Sequence, residues 1–289
     1  MDSEDDNWAP GAAFRKILNS HGYPFQQAVT KVAVETAAKP HESPWYFDVT
    51  EFPVSINGFD TRIDLVLKRR DQGGYLIGEC KRANPALSNW CFVRAPNVRR
   101  RHNQTKLLVE GVRFYKQELR TGVFADISEK IFHIGTEVTS NLKGDAAGSH
   151  GRGEIESAAG QVLKGVNGMV QFFSKHPAII GTSGIVHLVP AIFTTARIWT
   201  SEVNLSDAEI ENGTLNAEIV TLKPEPWVWL NYNLSPALKH SIRNETPPPG
   251  DLSSALEAEY TRSIAIVGAN GIVDFLKRDW RFSYTADNF

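Results

Sequence analysis

The stretch GYLIGECKRA, residues 74–83, predicts a short apolar strand that ends in charged side chains. Side chains alternate between the two faces of a strand, so Glu79 and Lys81 share one face and Cys80 lies on the other. An acid and an amine at the end of a buried strand are costly unless they have a use. The stretch therefore predicts both a core strand and a candidate functional site.

A second strand is predicted over residues 59–68, just upstream, and the polar turn RRDQGG at 69–74 predicts a hairpin. Pairing of the two strands would bring Asp64 towards Glu79. Asp60 is a rival for this position, but it lies near the start of its strand, farther from the charged end of the hairpin partner. We therefore prefer Asp64.

Glu51 belongs to another predicted strand, over residues 45–56. It could face the same site, although a cross-strand pair with Arg62 is the interpretation that we prefer.

Two carboxylates and a lysine in this arrangement suit metal-assisted cleavage of a phosphodiester. Carboxylate oxygens are hard ligands for Mg²⁺, which takes one or two protein carboxylates and keeps several waters. A bound divalent ion polarises the phosphate and lowers the pKa of a coordinated water. Lys81 could orient that water or stabilise the charge that builds on the phosphate.

Asp64 on one strand, followed by Glu79-x-Lys81 on the next, resembles the motif of the PD-(D/E)XK nuclease superfamily. The resemblance covers roughly residues 25–200 in element order and is residue-specific over 59–83. It implies an α/β fold with a restriction-endonuclease-like core, in which helices flank a central mixed β-sheet in the order αβββαβ. In this chain, the C-terminal strands and helix would be additions to that core. It also implies Mg²⁺ or Mn²⁺ as cofactor.

The resemblance implies two further site residues, each on a helix. Glu35, on a helix predicted over 25–38, is a candidate third metal ligand, and an ordinary boundary glutamate is an equal alternative. Gln161, on a helix predicted over 154–174, is a candidate polar residue that reaches into the site. Three glycines of this second helix indicate close approach of a neighbouring element; they are Gly160, Gly165 and Gly168.

A basic segment, residues 94–106, leaves the charged end of the Glu79 strand and carries no acid. Its cations are Arg94, Arg99, Arg100, Arg101 and Lys106. We expect them to hold phosphates, which gives affinity rather than sequence choice, and a solvated charged face is the alternative. Trp90 and Phe92, just before the segment, could stack on a base or simply pack.

We expect three parts along the chain: a flexible acidic tail at 1–10, a nuclease-like core at 11–200, and a C-terminal α+β extension at 201–289 packed on the same domain. Apolar residues make up 42% of the 289, enough for a core. A helix is predicted over 103–120. One long strand is predicted over 184–200, with a bulge at Pro190.

Composition excludes several classes of protein. Two cysteines provide neither a disulfide framework nor a metal-ligand spacing, and no apolar run approaches the length of a membrane span. The acidic N-terminus lacks the features of a signal peptide. We therefore expect a cytoplasmic protein without a membrane partner.

The sequence predicts a Mg²⁺- or Mn²⁺-dependent endonuclease, a hydrolase of phosphodiester bonds in DNA, in a restriction, repair or defence setting. A homodimer or a partner protein could supply specificity. The alternative is a catalytically silent nuclease-fold protein that binds nucleic acid or acts as a scaffold. The complete set of Asp64, Glu79 and Lys81 argues against that alternative. A third hypothesis is a nuclease that acts on RNA.

Overall fold

The computed structural model describes residues 10–71, 73–95, 106–115, 118–127, 130–138, 153–180, 185–215, 220–243 and 250–280. The chain begins with α1 (Pro10–Ser20), α2 (Tyr23–Ala37), β1 (Trp45–Ile56), β2 (Phe59–Arg69) and β3 (Gly74–Lys81). It continues with β4 (Asn89–Val93), β5 (Lys106–Tyr115), β6 (Glu118–Ile127), β7 (Ile131–Phe132), β8 (Ile134–Val138) and α3 (Glu154–Lys175). Its last elements are β9 (Ile185–Thr194), β10 (Arg197–Ser201), β11 (Leu222–Glu225), β12 (Trp227–Asn233), α4 (Leu252–Glu259), β13 (Thr261–Gly268) and α5 (Ile272–Lys277). The predicted tail lies outside the described residues except for Pro10.

Within the described residues, nine strands form one mixed sheet. The order is β1-β2-β3-β9-β13-β12-β7, with β5 paired to both β6 and β9. The first three strands are antiparallel neighbours, whereas β9 runs parallel to β3 and β13 runs parallel to β9. Strand β3 is therefore internal, and its residues from Gly74 to Glu79 are all buried. The predicted α/β class, a mixed central sheet flanked by helices, is confirmed.

Helices cover both faces of this sheet. The apolar stripe of α2, which includes Val29 and Ala33, packs in one cluster with Leu76 of β3 and Phe275 of α5. On the other face, α3 packs in a cluster that includes Ile77 of β3. The residues of α3 in this cluster are Ile155, Ala158, Ala159, Val162, Leu163, Val166, Met169, Val170 and Phe173.

A smaller sheet of four described strands, in the order β11-β10-β4-β8, packs on the α3 side of the large sheet. Trp90 and Phe92 of β4 are fully buried in the shared core. Both side chains therefore pack, and neither is available to stack on a base.

Two of the three α3 glycines do mark close approach of a neighbour. A Cβ atom at Gly165 would lie 3.1 Å from Ile63, and one at Gly168 would lie 2.6 Å from Val54. A Cβ atom at Gly160 would meet nothing within 4 Å. The close-packed part of α3 is thus its middle, where it crosses β1, β2 and β3.

The helix predicted over 103–120 is wrong, because β5 and β6 form an antiparallel hairpin there. Residues 107–112 are buried without interruption. A run that is apolar on both faces has no clear period, so its spacing fitted a helix as well as a strand.

The single strand predicted over 184–200 is instead two strands, β9 and β10, separated at Thr195 and Ala196. Pro190 lies inside β9 without a bulge. Pairing of β9 with β5 ends at Leu188, and pairing with β13 begins at Ala191. The missing N–H of Pro190 thus falls where the neighbour strand changes, which removes its usual cost in a sheet.

Strands β12 and β13, from the predicted C-terminal extension, belong to the same sheet as β3 and β9. None of the described helices combines the length and apolar character that crossing a lipid bilayer requires.

Candidate active site

The β2–β3 hairpin brings the two predicted acids together. Backbone pairing runs from Lys68 opposite Tyr75 to Leu65 opposite Gly78. Beyond this point a side chain replaces the backbone acceptor: Oδ2 of Asp64 accepts a hydrogen bond of 2.7 Å from the backbone N–H of Cys80. Asp64 therefore lies at the carboxyl end of β3, where the sequence placed it.

Glu79 is the most unusual group of the site. Its exposed fraction is 9%, and no hydrogen bond or ion pair within the described part of the chain reaches its carboxylate. Burial and then the negative charge of Asp64 raise the pKa of Glu79 to about 8, against the opposing charge of Lys81. A buried carboxyl group without a partner either keeps its proton or requires a cation.

The same forces act on Asp64. Burial raises its pKa to about 6, and the negative charge of Glu51 contributes in the same direction. The Cys80 N–H and the charge of Lys81 oppose this shift. Asp64, Glu79 and Lys81 therefore interact electrostatically as one group.

Glu51 is a member of this group that the sequence analysis underrated. The predicted pair with Arg62 exists, with 3.7 Å between Nη1 and Oε2. Glu51 also falls opposite Asp64, because the flanking pairs are Thr50–Leu65 and Phe52–Ile63. Its φ of 53° lies in the left-handed region, which is uncommon for a residue other than glycine.

The residue of α2 that reaches this group is Gln26, whose side-chain amide donates to Oε1 of Glu51. Gln26 is buried, on the same stripe as Val29 and Ala33. A polar residue in an otherwise apolar helical stripe was the signal that could have identified it.

Glu35, the predicted third ligand, is exposed and forms an ion pair of 3.8 Å with Lys31. It lies nine residues beyond Gln26, about 13 Å along the helix axis. The structure does not bring it together with Asp64 and Glu79.

Gln161 lies on the exposed side of α3. Among the described contacts, no hydrogen bond joins it to Asp64, Glu79 or Lys81. It is one helical turn before Gly165, which packs against Ile77 of β3. The predicted role of Gln161 in the site stays a prediction.

Most of the basic segment cannot be placed, because Arg99, Arg100 and Arg101 lie outside the described residues. Lys106 begins β5. Arg94 is exposed at the end of β4, with its guanidinium carbon 5.8 Å from the centre of the Phe132 ring. The phosphate contacts expected of this segment stay a prediction.

Comparison of the chain with protein-family models, with curated proteins and with solved structures finds no match. The chemistry of the site therefore has to be argued from its own residues.

Among the described residues, no group of three or more His, Cys, Asp or Glu side chains is arranged to hold a metal ion. A Mg²⁺ site does not require three, because this ion takes one or two carboxylates and keeps its remaining waters. Asp64 and Glu79 supply two oxygen donors of the kind that such an ion prefers. The buried and unpartnered carboxyl group of Glu79 is the feature that a cation would satisfy.

Proposed function

We propose that this protein is a metal-dependent nuclease that hydrolyses phosphodiester bonds, with DNA as the preferred substrate. The observation that carries the proposal is Glu79, buried without a partner beside Asp64 and Lys81. The order α2, β1, β2, β3, α3, β9 supports it if the strands β4 to β8, which lie between β3 and α3, are insertions, because the restriction-endonuclease-like core that we also propose has the order αβββαβ.

Asp64 and Glu79 would hold Mg²⁺ or Mn²⁺, which when bound polarises a phosphate and acidifies its coordinated water. The Cys80 N–H fixes one oxygen of Asp64, so this carboxylate is oriented before any ligand arrives. The low exposure of Glu79 limits solvent, which strengthens each electrostatic interaction in the site. Lys81 would orient the attacking water or stabilise the charge that develops on the phosphate.

Specificity for a DNA sequence would come from a second copy of the chain or from a partner protein. A reducing compartment, such as the cytoplasm, suits the two free thiols, Cys80 and Cys91.

The test is cleavage of plasmid DNA, single-stranded DNA and RNA with Mg²⁺ or Mn²⁺. We expect Asp64→Ala and Lys81→Ala to lower the rate by at least about 100-fold, because each removes a group that acts on the reacting phosphate. Lys68→Ala is the matched control: Lys68 lies on the neighbouring strand, opposite Tyr75. It is about 20 Å from Lys81 along β3 and should leave the rate unchanged.

A second readout does not depend on turnover. Mg²⁺ or Mn²⁺ should raise the melting temperature of the wild type and of Lys68→Ala, but not that of Asp64→Ala. Equal cleavage by the wild type and Lys81→Ala would place the active site elsewhere. Nucleic-acid binding without cleavage by the wild type would favour the silent nuclease-fold protein instead.

A further inference from the structure

An open cleft of about 500 Å³ lies between α1 and the segment that leaves β3. Its lining contains three cations and no acid; the residues are Ala12, Arg15, Lys16, Asn19, Ser20 and Arg82. The cleft is separate from the basic segment that the sequence analysis assigned to phosphate binding.

The geometry of α1 explains why these residues share one cleft. Positions 12, 15, 16 and 19 follow the i, i+3, i+4, i+7 pattern, so they lie on one side of the helix. The small side chain of Ala12 leaves room between the cations. Arg82 donates from its guanidinium group to the carbonyl of Asn19, which ties the last turn of α1 to the end of β3.

No acid among the described residues neutralises the three cations. Arg15, Lys16 and Arg82 are exposed, and none of them forms an ion pair with an acid in the described ranges. Arg69, in contrast, is buried and pairs with both Asp71 and Asp279. Uncompensated cations around a concave surface attract an anion and raise its local concentration.

The cleft lies close to the candidate active site. Arg82 directly follows Lys81, and a Cβ atom at Gly22 would lie 3.8 Å from that of Arg82. Gly22 precedes α2, and Gln26, one turn later, contacts Glu51. One turn of helix advances about 5.4 Å, so the cleft and the carboxylates flank the first turn of α2.

We propose that the cleft of Arg15, Lys16 and Arg82 binds backbone phosphates of a nucleic-acid strand next to the carboxylates of Asp64 and Glu79. The choice of nucleic acid as the anion rests on the proposed function. Cations in a cleft beside the site would hold the backbone of a strand while the bond to be cleaved lies between Asp64 and Glu79. Such contacts supply affinity and register rather than sequence choice.

The experiment measures binding of a fluorescein-labelled oligonucleotide, single-stranded or duplex, by fluorescence anisotropy in EDTA, where no metal-dependent cleavage occurs. The test variant combines Arg15→Ala, Lys16→Ala and Arg82→Ala. The control combines Lys31→Ala, Lys175→Ala and Lys223→Ala, which removes the same charge from exposed positions outside the cleft.

We expect the cleft variant to bind about 100-fold more weakly than the wild type at low salt, and the control to bind within about threefold of it. The slope of log K against log salt should also decrease in size by about 2 to 3 for the duplex, since each phosphate contact contributes about 0.9.

A second variant, Arg15→Ala with Lys16→Ala, keeps the hydrogen bond between Arg82 and Asn19. A loss of binding in this variant therefore cannot come from detachment of α1 from the end of β3. This double variant should bind the oligonucleotide more weakly than the wild type but more tightly than the triple variant. Equal binding by the wild type and both cleft variants would overturn the inference. An equal loss in the control variant, or no oligonucleotide binding by the wild type, would also overturn it. Binding that depends on the cleft in a protein that does not cleave would support the inference and reject the proposed nuclease.

Discussion

Glu79 determines how the site behaves without a metal ion. Its pKa is raised from 4.5 to about 8, chiefly by burial, so the folded protein binds this proton more tightly than the unfolded chain does. The contribution to stability is full below about pH 4.5 and is lost as the pH rises through about 8. The site is therefore a source of instability in alkaline solution unless a cation occupies it.

Glu79→Gln should consequently raise the free energy of unfolding in EDTA at pH 9 by about 1–3 kcal/mol, with little effect at pH 5. Glutamine occupies the same volume but never carries the charge. Urea unfolding at the two pH values measures the difference. Glu35→Gln, at an exposed position, should change stability by less than about 0.5 kcal/mol at either pH. A loss of stability in Glu79→Gln at both pH values would mean that the carboxylate has a partner in the folded protein.

Some residues of the candidate site could be predicted from the sequence, and others could not. Asp64, Glu79 and Lys81 could be placed together because strand alternation and one hairpin suffice. Glu51 was given only as a residue that could face the site, because its left-handed φ breaks the alternation on which a firmer inference depends. Gln26 was not recognised, because the helical period of α2 does not reveal which turn faces the end of β3.

Among the elements, α3 is positioned by its glycines. A Cβ atom at Gly168 would lie 2.6 Å from Val54 of β1, so Gly168→Ala should cost about 1–3 kcal/mol as the two elements are forced apart. Gly160→Ala, on the same helix, meets nothing within 4 Å and should gain about 0.5–1 kcal/mol from helix propensity. Urea unfolding of the two variants measures both effects. A similar gain in the free energy of unfolding of both variants would show that α3 and β1 are less closely packed at Gly168 than this distance implies.

Sequence patterns identified elements with one clear face and missed those with two buried faces. The helices α2 and α3 and the strands β1 and β2 lie where the sequence predicted them. The hairpin of β5 and β6 was missed because residues 107–112 are buried on both sides. The break after β9 was missed because Thr195 and Ala196, where the chain passes from the large sheet to the small one, include neither glycine nor proline.

At the scale of the whole molecule, a buried ionic cluster joins distant parts of the chain. Glu110 of β5 is 3% exposed and accepts hydrogen bonds from Arg262 of β13, at 2.8 Å from Nε. Its other oxygen lies 3.2 Å from Nε2 of His240, whose backbone N–H donates to Asn167 of α3. The cluster therefore connects the central sheet, α3 and the segment after β12.

This cluster could not be predicted from the sequence, because its members are separated by up to 152 positions and each resembles an ordinary surface residue. The predicted C-terminal extension likewise gave no sign that β13 would pair with β9 inside the large sheet. Long-range pairing depends on the complete chain rather than on any local pattern.

The ionic cluster of Glu110, Arg262 and His240 makes the stability of the protein depend on pH. Burial alone would raise the pKa of Glu110. The charge of Arg262 and the contacts of His240 outweigh burial and lower this pKa to about 2. The resulting stability is present above about pH 4.5 and is lost as the pH falls towards 2. Glu110→Gln should therefore cost about 3–5 kcal/mol at pH 7, because Arg262 is left buried without its counter-charge. At pH 3 the difference from the wild type should be smaller, and urea unfolding at both pH values measures it.

Glu118→Gln is the matched control, because Glu118 lies on the neighbouring strand β6, is exposed, and among the described residues pairs with Arg120 at 3.6 Å. It should change the free energy of unfolding by less than about 1 kcal/mol. A loss in Glu110→Gln no larger than this would mean that water or relaxation satisfies Arg262. A large loss would support the conclusion that buried Arg262 depends on the carboxylate of Glu110 as its counter-charge.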